Sequence, residues 1–200
     1  MIPEAVARLR QRLGIPVDPG RRGPVRLDRF FEEMTHPRVS HFALPDLTRG
    51  AVAAHLGGEG IEGADLGDPA ERLDGFVFFA GAAAWAYVSV GRDNPLVRRR
   101  FSAAHELGHV VLHRDSIGRF RADKAVLEAG EADDQMEREA NRFAAELLMP
   151  ADVCAARADE LTAEYGACPR GVLEYRLAAE LLVSGEAIRY RLNGLGVGND

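Results

Sequence analysis

Apolar positions along the chain recur in two rhythms. From residue 3 to 13 they return every three or four places, with Val6, Leu9 and Leu13 on one side, which predicts an amphipathic helix. Leu27 to Met34 predicts a second helix and Ala51 to Leu56 a third. The Pro- and Gly-rich run Gly14 to Pro24 reads as a loop, as does the Gly- and acid-rich run Gly57 to Pro69. Thr35 to Thr48 keeps neither rhythm. Leu73–Gly81 and Ala84–Gly91 are aromatic and β-branched, punctuated by glycine, and followed by the turn residues Gly91 to Pro95. They predict two neighbouring strands and so a small antiparallel sheet. The helical rhythm then resumes behind Ser102, an expected N-cap, and runs to about His113. The polar stretch Asp115 to Asp133 predicts a loop. A further helix is expected to begin near Asp133 or Asp134 and to stop at Pro150. Beyond it, one helical segment holds Cys154 and Leu161 and breaks at Gly166–Pro169. Another spans Val172 to Leu182, and the last runs from an N-cap at Ser184 to a stop at Gly194. The expected class is α+β: mostly helical, with the small sheet ahead of the helix that contains His105.

Two hundred residues fit one domain, 1–200, with a central part at about 75–150 and a helical C-terminal part at about 151–200. A composition of 46% hydrophobic and 28% charged residues is that of a globular protein. The net charge of −6 argues against a strongly nucleic-acid-binding surface. Two cysteines, Cys154 and Cys168, make no disulfide framework, which points to a reducing cytoplasm. The N-terminus lacks the layout of a signal peptide, and no apolar run reaches the roughly 20 residues of a membrane span. A soluble, cytoplasmic protein is expected; the oligomeric state is not legible.

The chemistry concentrates in His105-Glu106-Leu107-Gly108-His109. On a helix each residue advances by about 100°, so His105 and His109 stand on adjacent turns roughly 40° apart. Two imidazoles so placed can chelate one zinc ion. Glu106, about 100° further round, is poorly placed to be a ligand but well placed to act as general base toward a water. Ala104, Leu107 and Val111 give the same helix an apolar face.

A third ligand is offered by the helix before Pro150. Projected at about 100° per residue, Glu137 and Asn141 fall in the apolar stripe of Ala140, Ala144, Leu147 and Leu148. Arg138, Glu139, Arg142 and Glu146 gather on the other, solvated side, where Arg142 and Glu146 can pair. A polar group inside an apolar stripe is costly unless partnered. A metal for Glu137 and a histidine N–H for Asn141 would meet that need. The competing role for Glu137 is a capping box with Asp134. Gly108, Ala140 and Ala144 are small enough to let the two helices approach closely.

The runs R-R-F-S-A-A-H-E-L-G-H-V-V-L-H and E-R-E-A-N-R-F-A-A-E-L-L-M-P closely resemble the ImmA/IrrE family of bacterial metallopeptidases, over roughly Gly75 to Pro150. The resemblance implies a gluzincin-like core, with His105, His109 and Glu137 as zinc ligands and Glu106 as the catalytic residue. It also implies a substrate, a helix-turn-helix transcriptional repressor whose cleavage derepresses stress, mobile-element or defence genes. Two alternatives stand beside this endopeptidase. One is a metal-containing antirepressor that acts by binding only. The other is a DNA-binding regulator using the two short helices around Val183-Ser184, although direct nucleic-acid binding is not indicated by their charge.

Several residues keep more than one reading. Tyr165, Tyr87 and the Arg98–Arg100 run are candidates for the oxyanion stabiliser, and the arginines could equally brace the site by an ion pair. An extended substrate is expected to pair with a sheet edge around Trp85–Val90, although Trp85 and Tyr87 read as core. His113 reads as a C-terminal helix residue or as a support to the metal ligands. His36, His41 and His55 read as surface or loop. Cys154, or Cys168, could block the metal if the segment after Pro150 folds back over the cleft; a small buried hydrophobe is the alternative.

Overall fold

The two aromatic runs form a hairpin, Gly75–Ala80 and Ala83–Ser89, in register from Gly75 opposite Val88 to Ala80 opposite Ala83. In the computed structural model, which describes residues 1–20, 22–91, 94–123, 135–166 and 168–198, this hairpin is the middle of a larger sheet. In chain order the elements are α1 (Ile2–Leu13), α2 (Leu27–Glu33), β1 (Arg38–Leu44), α3 (Arg49–Gly58), β2 (Gly75–Ala80), β3 (Ala83–Ser89) and α4 (Leu96–Leu112). Then come β4 (Phe120–Asp123), α5 (Gln135–Leu148), α6 (Ala151–Tyr165), α7 (Arg170–Leu181) and α8 (Gly185–Leu195). The class is α+β. The sheet is mixed, ordered β1-β3-β2-β4: β2 pairs antiparallel with both β3 and β4, and β1 lies parallel to β3.

Successive side chains of a strand point to opposite faces, so a strand covered on both sides loses its polar alternation. Val77 and Phe79 of β2 and Ala84, Ala86 and Val88 of β3 enter the main core with the long helices. Phe76, Phe78 and Tyr87 face a smaller core with Leu47, Leu56, Leu66 and Leu73. This double coverage is why the two runs are so visibly apolar. It also corrects the expected substrate edge: β3 is flanked by β1 and β2, and its ladder positions are taken. Of the strands described, β4 is the edge on the other side of β2, and it follows the His105 helix in the chain.

Three local expectations shift. The helix carrying His105 begins not behind Ser102 but at Leu96, with Pro95 as N-cap, so Ser102 lies inside it. Arginines hold the added turns: Arg98 pairs with Asp74 at 2.5 Å and Arg99 donates to the carbonyls of Asn94 and Gly91. Arg100 donates to the carbonyls of Val25 and Leu182. Glu146, expected beside Arg142 in solvent, meets Arg191 of α8 at 2.6 Å. The last helix passes Gly194 and is capped by Gly196 at φ 66°, while Ser184 does accept the N-capping bond from Ala187 N–H. The proposed helix start at Asp133–Asp134, and with it the capping box of Glu137, lies outside the described residues.

Helices α4 and α5 cross where the small residues allow it. A Cβ on Gly108 would come within 3.1 Å of Phe143 Cδ1 and 3.2 Å of Ala140 Cα. The close approach brings the polar edge of α5 against the histidines of α4. No helix among the described residues is long and apolar enough to cross a membrane.

Candidate metal centre

The last turns of α4 present His105 and His109, and its C-cap His113 follows them, all buried. Glu137, in the first turn of α5, reaches the first two: its Oε2 lies 3.0 Å from His105 Nε2 and its Oε1 3.4 Å from His109 Nε2. The two Nε2 atoms are themselves 3.0 Å apart. One donor atom from each of His105, His109 and Glu137 lies within 4.8 Å of the others, a group that could hold a metal ion. Burial opposes the charge on Glu137, but hydrogen bonds and charge from His105 and His109 outweigh it and hold the carboxyl well below the usual range.

The far sides of both imidazoles are fixed as well. His105 Nδ1 is 3.0 Å from Asn141 Oδ1, the amide brace expected from the helix projection. His109 Nδ1 is 3.1 Å from His113 Nδ1, and His113 Nε2 is 2.9 Å from Glu139 Oε2. A carboxylate only accepts, so His113 donates to Glu139 from Nε2. A neutral His109 ring that donates from Nδ1 toward His113 keeps its Nε2 lone pair for a metal. The amide oxygen of Asn141 sets the same tautomer on His105.

Glu139 is thus misplaced by the projection. It was expected in solvent, yet it anchors a chain through His113 to His109, with Gln135 Nε2 donating to its other oxygen at 2.7 Å. The bonds from Gln135 and His113 hold its carboxyl below the ordinary value. Arg121, which sequence reasoning did not single out, donates from β4 to Glu137 Oε1. It sat in a stretch read as loop, with no pattern to mark it. Glu106 is 1% exposed and packs its carboxylate against Gly75 of β2.

These residues lie within a match to a family profile described as the IrrE N-terminal-like domain, a peptidase family, which spans residues 70–193. The chain belongs to this peptidase family. The match covers more than the metal core, taking in α6, α7 and most of α8. No curated protein matches the chain.

Other residues considered for the IrrE-like site fall elsewhere. Tyr87 is fully buried in the smaller core, its hydroxyl 3.1 Å from His55 Nδ1, so His55 has a structural partner and is not a simple surface residue. His36 is exposed, and His41 stacks on Phe31 at 4.5 Å between ring centroids. Tyr165 is exposed at the end of α6 under Arg176. Cys154 does not fold across the cleft: it is buried in the main core, where desolvation pushes its thiol up to about 11. Cys168 is only partly buried.

Proposed function

We propose that the chain is a zinc-dependent endopeptidase in which His105, His109 and Glu137 hold the metal and Glu106 is the general base. The observation that carries the reading is the donor set itself. Two imidazole nitrogens and a carboxylate oxygen converge, and this combination of ligands suits zinc with a position left open for water or substrate. When bound, zinc acts as a Lewis acid and lowers the pKa of water to about 7. Glu106 then takes the water's proton on its carboxylate and passes it to the leaving amine. Its burial beside the histidines gives it a fixed place and little competing water. Tyr87, Tyr165 and Arg98–Arg100 are occupied or distant, so Arg121, against Glu137, takes their place as the cation for the developing oxyanion. The substrate backbone pairs with β4 rather than β3, since β4 is the edge strand that carries Arg121.

The proposed substrate is a helix-turn-helix repressor, cut once in a flexible linker in the cytoplasm so that DNA affinity or dimerisation is lost. The ImmA/IrrE resemblance supports this choice. Intact-mass spectrometry of a helix-turn-helix repressor from the same genome, after incubation with zinc-loaded protein, tests it. Two product masses summing to the repressor plus one water are expected. Tight binding with an uncut repressor would favour the antirepressor instead. A gel shift by this chain alone on operator DNA would favour the DNA-binding reading of α7 and α8. Their exposed arginines are engaged, Arg189 with Glu174 and Arg176 with Tyr165.

A further inference from the structure

Gly75 opens β2, with Val88 of β3 opposite it on one side and Asp123 of β4 on the other. It is absent from the glycines with positive φ, so its backbone does not require glycine. Glycine is also a poor choice inside a strand, where it sacrifices chain entropy and packing. The surrounding space supplies the reason. A Cβ at this position would lie 1.8 Å from Glu106 Oε1, 2.9 Å from its Cδ and 3.4 Å from its Cγ. The carboxylate of Glu106 occupies the volume where a side chain of residue 75 would begin.

The backbone on either side of that contact cannot retreat easily. Gly75 is held in ladders on both sides, and Asp74 before it is ion-paired at 2.5 Å to Arg98 on the first turns of α4. That helix also carries Glu106, and its buried residues Ala103, Ala104 and Leu107 set the spacing from helix to sheet. An added methyl group therefore moves the carboxylate and not the strand.

We infer that Gly75 is a positioning residue for Glu106, its missing side chain forming the seat that aims the carboxylate. The role of Glu106 rests on the peptidase reading, whereas the steric coupling does not, and the test separates them. Gly75→Ala, Glu106→Ala and the double variant are made in the full chain. Folding equilibrium constants come from urea titration, zinc affinity from chelator competition, and kcat and KM from repressor cleavage. Gly75→Ala is expected to lower the folding constant at least tenfold in the parent and less than threefold when Glu106 is already alanine. In the single variant zinc affinity and KM stay within threefold while kcat falls at least a hundredfold. Equal stability losses in both backgrounds would overturn the steric coupling. Coupled stability with unchanged kcat would overturn the positioning role. If Gly75→Ala does not fold, recovery of folding in the double variant supports the contact and failure of the double variant refutes it. A parent that cuts no repressor sinks the peptidase reading, and the stability cycle still decides the contact.

Discussion

Removing Glu139 tests whether the chain of hydrogen bonds behind His109 matters to the metal. In Glu139→Ala, His113 Nε2 loses its 2.9 Å acceptor, and nothing then fixes which nitrogen of His113 faces His109. Loss of such an outer partner typically lowers metal affinity about 10–100-fold. That range corresponds to about 1.4–2.8 kcal/mol of binding free energy. The Glu139 side chain is 32% exposed, so water can replace part of its contact, and the low end, about tenfold, is expected. His113→Ala removes the buried ring itself and is expected to approach the high end, about a hundredfold. Competition with a chromophoric zinc chelator at fixed pH measures both. Affinities within twofold of the parent for both variants would refute the argument, and would return Glu139 to the solvated role its helix position suggests.

Gly108→Val places bulk against Phe143 and Ala140 at the crossing of α4 and α5, and is expected to cost about 1–3 kcal/mol by urea denaturation. Arg157, buried and paired with Glu180 at 2.8 Å and Glu160 at 2.7 Å, leaves these two acids with the exposed Arg22 as partner when it is replaced. Arg157→Leu should lose at most about 3 kcal/mol, the low end for a broken buried pair, because Glu160 is well solvated and Arg22 still pairs with both acids; no change in urea midpoint would contradict this. Burial raises the Cys154 thiol to about 11, so iodoacetamide at pH 8 should alkylate Cys168 in the native protein and spare Cys154; equal labelling would count against the buried placement. Arg121→Gln removes a hydrogen bond from Glu137 and is expected to lower zinc affinity about tenfold and, at saturating zinc, kcat about 10–100-fold; an unchanged kcat would remove Arg121 from the chemistry.

The strong periodicities were enough to locate α1, α4, α5 and the β2–β3 hairpin, and the spacing within α4 and α5 brought His105, His109, Glu137 and Asn141 to one place. What stayed hidden depends on contacts remote in sequence. β1 and β4 are recruited by the hairpin: Arg38–Leu44 alternates burial only weakly, and Phe120–Asp123 is too short to show a rhythm. Glu139 escaped because a projection measures direction from one helix axis and ignores the length of a glutamate and the position of His113 on the neighbouring helix. Ser102 misled because a good capping residue is only one signal, and the ion pairs of Arg98–Arg100 extend the helix past it. Gly75 looked like strand punctuation, since its meaning lies in a carboxylate 31 residues later in the chain.

The central claim is that metal holding and proton transfer belong to different carboxylates, Glu137 and Glu106. Zinc content by elemental analysis, measured on the same preparations used for repressor cleavage, tests it most directly. Glu106→Gln should retain near-stoichiometric zinc and cut nothing, whereas Glu137→Ala should lose zinc at the concentrations where the parent is loaded. Cleavage by Glu106→Gln at the parent's rate, or full zinc loading of Glu137→Ala, would contradict the account.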